Sequence, residues 1–129
     1  MAMDVDKQCH YWRMGADNAM ETAELLIQNG RFDFGLFFLH LSIEKMLKAI
    51  VTRRTQDVPP KTHNLLFLAE KAKLTPPGNL MATLSEFREY CMAGRYPDAE
   101  PANVDRALAE RELARAREVC TWLQNQFKE

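Results

Sequence analysis

Apolar and small residues fall at Val5, Cys9, Trp12, Ala16, Ala19, Ala23 and Leu26, in alternating steps of four and three. Side chains at those intervals share one face of an α-helix, so the spacing predicts a long first helix with a single buried seam. Asn29-Gly30 ends it, because glycine just beyond a helix takes up the left-handed conformation that closes the last turn. A second helix begins at about Arg31 and carries two apolar stripes. Leu36, Leu39, Ile43, Leu47 and Ile50 form the stripe that faces the bundle, and Phe34, Phe37, Phe38 and Leu41 lie roughly opposite in its first half. Four clustered large side chains in water would make an unusual patch, so the second stripe needs a cover: another helix of the chain or a second subunit. A homodimer through these four residues is the expectation.

Asp57-Val58-Pro59-Pro60 cannot continue a helix, since adjacent prolines remove donors and restrict the backbone before them. Thr62 is the expected cap of a short third helix carrying Leu65, Leu66, Leu68, Ala69 and Ala72, which Thr75-Pro76-Pro77-Gly78 then breaks. From Asn79 the seam Leu80, Leu84, Phe87 and Cys91 repeats the four-three spacing and stops at Gly94, with Arg95-Tyr96-Pro97-Asp98 directly after it. Pro97 and Pro101 bracket a loop, Asn103 is the expected cap, and Ala109, Leu113, Ala116, Cys120, Leu123 and Phe127 supply the seam of a final long helix. No stretch alternates with the period of a strand. The pattern predicts an all-α fold, an antiparallel four-helix bundle with one additional short helix.

Composition narrows this picture. A chain of 129 residues suits one domain, residues 1-129, with a single core. A net charge of −1 gives no long-range basic field for capture of duplex nucleic acid or an anionic membrane, although a local basic cluster still suits a phosphate. Cys9, Cys91 and Cys120 lack the paired spacings of a zinc site or a disulfide framework, and are expected as buried thiols in a reducing compartment. No window has the ~18 uncharged apolar residues of a membrane span. A cytoplasmic protein without a membrane anchor is expected.

The candidate chemistry begins with a polar row on the second helix, His40, Glu44 and Lys48, each four residues from the next. Such a row is either an internal ion pair or a site. Glu44 before Lys48 is the favourable order for a helix pair, stabilising by ~0.2–0.5 kcal/mol. A Glu44 buried among apolar stripes would need partners, and Arg95 or His63 could hold it. Arg53, Arg54 and Lys61 make a basic cluster near His63, although cations at a helix C-terminus are favoured by the backbone dipole without any ligand. Trp12 reads as core. In the last helix Arg106, Arg111, Arg115 and Arg117 are interleaved with Glu110, Glu112 and Glu118, the pattern of a solvated face.

Trp12 with Asp17, Ile43-Glu44-Lys45-Met46-Leu47-Lys48-Ala49, Thr62-His63-Asn64-Leu65 and Arg95-Tyr96-Pro97-Asp98 occur in an order that spans nearly the whole chain. In these pieces the sequence resembles the HEPN domain family, small helical domains found beside minimal nucleotidyltransferases and in some toxin–antitoxin pairs. The resemblance implies the helical bundle. His40 stands where many relatives carry glutamine and is given no catalytic role. The RNase members of the family use an Arg followed four to six residues later by His. Here Tyr96, Pro97, Asp98, Ala99, Glu100 and Pro101 follow Arg95, and Arg106 and Arg111 also lack a following histidine. Without a local pair to move the 2′-hydroxyl proton and steady the phosphorane, RNA is a disfavoured substrate and no residue is assigned a catalytic role.

A binding role survives that loss. Lys48 and Arg95 suit phosphate oxygens, Arg95 through a two-pronged contact; Tyr96 suits stacking on a base; His63 stands at a helix start, where free N–H groups favour an anion. The expected ligand-binding set is Glu44, Lys48, His63, Arg95, Tyr96 and Asp98, with no metal and no cofactor. The leading expectation is a nucleotide- or phosphate-binding partner of a nucleotidyltransferase on another chain, since the Gly-Ser turn and strand-borne carboxylates of such a transferase are missing from this sequence. The alternatives are a divergent metal-independent RNase toxin using Arg95 and His63, and a non-catalytic structural adaptor.

Overall fold

The computed structural model describes residues 3–91 and 104–127, and every regular element among them is helical. In order these are α1 (Val5–Gln28), α2 (Phe32–Thr55), α3 (Leu65–Lys71), α4 (Gly78–Glu86), a 3-10 turn (Phe87–Tyr90) and α5 (Arg106–Asn125). The chain folds as an all-α bundle, with α2 at its centre against α1, α5, α3 and the 3-10 turn.

α1 is opened by Asp4, whose carboxylate accepts from Lys7 N at 3.1 Å. It is closed where the spacing places its end. Arg31 N donates to Leu26 O at 2.8 Å and Gly30 N to Ile27 O at 3.1 Å, and Gly30 takes φ +77. This is the six-to-one and five-to-two bonding that a left-handed residue after a helix makes possible. The seam ends on Ile27 and not on Leu26: Ile27 is buried and Leu26 only half-buried.

The α1–α2 contact is close because two glycines leave room for it. A Cβ on Gly35 would lie 2.6 Å from Ile27 Cγ1, and one on Gly15 would lie 2.9 Å from Lys45 Cδ. Ser42 Oγ donates to Ala16 O at 2.8 Å across the same interface. From Leu39 to Thr52, α2 is buried at all but Leu41 and Lys45, which are half-buried. Its first half is less covered. Phe34 is exposed and Phe37 and Leu41 half-buried, whereas Phe38 packs partly against the core and meets the Phe37 ring edge-on at 5.3 Å between centroids.

Helix starts and ends differ from the spacing in three places. α3 is capped by Asn64, whose side chain accepts from Phe67 N at 3.0 Å; Thr62 instead accepts from Asn64 N at 3.1 Å and shapes the approach. The helix expected from Asn79 begins at Gly78 and tightens into the 3-10 turn at Phe87 rather than running on to Cys91. α5 is capped by Asp105, which accepts from Leu108 N at 2.9 Å, and the expected cap Asn103 lies outside the described residues. Of the thiols, Cys9 and Cys120 are buried and Cys91 is half-buried. Burial pushes the Cys120 thiol up to about 11. Among the described residues no helix is long and apolar enough to cross a membrane.

Candidate functional site

Glu44 occupies the middle of α2, where two basic side chains are held at its one carboxylate. The side chain is 5% exposed and Lys48 Nζ donates to its Oε2 at 3.0 Å. His63 arrives from the turn before α3, nineteen residues on, and its Nδ1 lies 2.9 Å from Glu44 Oε1. A carboxylate only accepts, so Nδ1 carries the proton and Nε2 is left as the open nitrogen of a ring that is 69% exposed. Proline-rich chain between α2 and α3 brings His63 back over α2, and the Asn64 cap then fixes the turn it stands on. The ammonium of Lys48 also lies 5.4 Å from the Trp12 ring centroid on α1, a cation–π contact that accepts the charge without hydrating it. Three elements therefore meet at this end of the row.

His40 completes the row without a hydrogen bond to it. Its Nδ1 stands 3.8 Å from Glu44 Oε1, beyond bonding distance, and its Nε2 is buried with no partner. Burial lowers the imidazole below its ordinary value, against the opposing pull of Glu44 and the backbone of His63. The unfolded chain therefore binds a proton on this residue more readily than the folded one. The contribution to stability is complete above the ordinary histidine value, near pH 6.5, and is lost as pH falls through the lowered folded value. Urea midpoints at pH 7 and pH 5 are expected to drop on acidification, and His40→Gln is expected to reduce that drop; an unchanged slope in the variant would assign it elsewhere.

Of the expected set, Glu44, Lys48 and His63 come together. Arg95, Tyr96 and Asp98 lie outside the described residues. Arg53 belongs to a different structure, an exposed pair with Asp6 at 2.7 Å, and Arg54 Nη1 donates to Ala72 O at 2.9 Å, tying α2 to the end of α3. Both have structural work of their own. Among the described residues no group of three or more His, Cys, Asp or Glu is arranged to hold a metal ion.

A family model described as HEPN domain matches residues 9–126. The chain belongs to the HEPN domain family. Two solved structures share the HEPN fold seen here. TT1696 from Thermus thermophilus is 22% identical with a TM-score of 0.80, covering 92% of this chain and 97% of that one. ST0689, an archaeal HEPN homologue, is 20% identical with a TM-score of 0.74, covering 92% and 96%. Among curated proteins none matches the chain.

This HEPN domain also holds a second buried carboxylate that its sequence pattern hides. Glu112, expected on a solvated face of α5, is 1% exposed. Its Oε2 accepts from Tyr90 OH at 2.9 Å and its Oε1 from Arg115 Nη1 at 2.9 Å. Arg115 reaches on to Glu86 at 3.3 Å, so α4, the 3-10 turn and α5 are tied through one charge network. Burial and the Glu112 bond push the Tyr90 hydroxyl well above its ordinary range. The sequence does carry a signal for it: position 112 lies three after Ala109 and four before Ala116, on the buried seam itself.

Proposed function

We propose that this HEPN domain binds a nucleotide or another phosphorylated ligand at Glu44, Lys48 and His63, with Arg95, Tyr96 and Asp98 completing the set. We read it as the partner subunit of a minimal nucleotidyltransferase carried on another chain, in a pair of the toxin–antitoxin type. The observation that supports this reading is the meeting of Lys48 and His63 on one buried carboxylate. Glu44 holds both basic groups in place, so that neither loses side-chain freedom when a ligand arrives. Arg95 would add the two-pronged phosphate contact and Tyr96 a stacking surface.

Calorimetry with ATP and GTP tests it. Binding by the wild type and a Kd about tenfold or more weaker in Arg95→Ala are expected, the worth of one charge-assisted contact. Absence of heat with either nucleotide would leave the adaptor reading. The homodimer belongs to the same proposal, through Phe34, Phe37, Phe38 and Leu41. Light scattering should find a dimer in the wild type and a monomer in Phe37→Glu; a monomeric wild type removes it.

One observation favours a second reading. A buried carboxylate on Nδ1 of an exposed imidazole is the arrangement that readies the other nitrogen as a base. An RNase using His63 and Arg95 would cleave RNA as the wild type and fail in both His63→Ala and Arg95→Ala. That result would displace the binding reading.

A further inference from the structure

Trp12 stands on α1 beside Lys48, half-buried as an aromatic of the seam should be, yet its indole Nε1 is buried and has no hydrogen-bond partner. An indole N–H donates and cannot accept, and when buried it usually finds an acceptor. An orphaned donor has given up its water for nothing, which is why such groups are few and ask for a reason. Glu44 does not serve as the acceptor, since its two oxygens accept from Lys48 and His63.

The neighbouring ammonium is under-used in the same way. Among the described contacts Lys48 Nζ donates once, to Glu44 Oε2 at 3.0 Å, although an ammonium has three N–H donors. Its nitrogen lies 5.4 Å from the Trp12 ring centroid. A phosphate group presents several oxygens, so separate oxygens can accept from the indole N–H and from the neighbouring ammonium. The other buried orphan, His40 Nε2, does not compete for that role. The His40 ring donates to the backbone of His63 and Nε2 is its unpartnered nitrogen, so the neutral ring carries its proton on Nδ1 and presents Nε2 as an acceptor, which an anion cannot use.

We infer that Trp12 Nε1 and Lys48 Nζ form a two-donor subsite for an oxyanion, taking non-bridging phosphate oxygens of the bound ligand. The inference rests on the phosphorylated-ligand reading above and adds to it a residue that the sequence assigns to the core. Glu44 neutralises Lys48, so the pair carries no net charge and the indole adds a donor without adding one. Recognition at this end of the site depends on the placement of hydrogen bonds more than on bulk attraction.

Trp12→Phe keeps an aromatic ring against Lys48 and removes the N–H. Calorimetry with ATP and with inorganic tripolyphosphate should give Kd values about tenfold weaker or more for both probes. The melting temperature without ligand should stay the same or rise, because the orphan is gone. The domain has two tryptophans, Trp12 and Trp122, so the variant also identifies the Trp12 indole resonance in a nitrogen-labelled spectrum. That resonance should move in the wild type as ATP is added. A wild-type Kd in Trp12→Phe, or an indole signal that stays still at saturation, overturns the subsite while leaving nucleotide binding intact. A wild type that binds neither probe overturns the parent reading and the subsite together. Should the variant melt early, the wild-type indole resonance decides alone, movement sustaining the subsite and stillness ending it.

Discussion

Glu44→Leu is expected to cost the domain about 3–5 kcal/mol of stability, read as a lower urea midpoint, because it leaves the Lys48 ammonium buried without its counter-charge. The side chains are 5% and 8% exposed, so water cannot take the carboxylate's place. Adding Lys48→Met to the same chain should restore most of the loss, since an apolar pair of similar volume has no charge to desolvate. The double variant thus separates the cost of an unpaired charge from the net worth of the pair. A double variant no more stable than Glu44→Leu would mean that packing, not charge, dominates the position. His63→Ala belongs at the other extreme. Its ring is mostly in water and Glu44 keeps its Lys48 partner at 3.0 Å, so the variant should lose less stability than Glu44→Leu, and its urea midpoint read beside its ligand affinity separates an effect on the site from unfolding.

Glu112→Ala is the second large effect, about 3 kcal/mol by the same measurement. Two donors lose their acceptor at once, the Tyr90 hydroxyl and Arg115, and a void opens at a residue 1% exposed. Arg115 softens the loss, because its side chain is 24% exposed and still reaches Glu86 at 3.3 Å. Tyr90→Phe isolates one arm of the network and should cost about 1.5 kcal/mol, the low end for a hydrogen bond to a charged group. Near-neutral behaviour in both variants would show that the network is decoration on an apolar contact.

The contrast between the two carboxylates explains what a one-dimensional reading can reach. Glu44 stands four residues before Lys48 among large apolar neighbours, so its need for partners is readable directly. Glu112 sits between Arg111 and Leu113, where alternation of sign suggests water on every side. The same 3.6-residue turn allows steps of either three or four, and choosing Leu113 in place of Glu112 moves the seam by one position. Leu26 and Ile27 exchange roles for the same reason. Helix existence and order are legible because glycine and proline punctuate long periodic runs. Caps are less so: Thr62 and Asn64 both carry an oxygen able to receive an N–H, and only the path of the backbone decides between them. That His63 meets Glu44 follows from the turn after Pro59-Pro60, a geometry no spacing encodes. The orphaned indole of Trp12 is likewise invisible in sequence, since an aromatic at helical spacing gives no hint of whether its nitrogen finds a partner.

The three-residue link between the two longest helices has a consequence for how the chain reaches its native state. Asn29, Gly30 and Arg31 let α1 turn back on α2 with little closure entropy, and the interface they join is formed by two consecutive helices. Such a hairpin suits early assembly during refolding, with α5 arriving later from across the chain to seal Ser42 against Cys120. Two of the three elements that meet at Glu44 would then be in place before the last one docks: Trp12, Lys48 and Glu44 all belong to the hairpin, and His63 need only swing in from the next turn.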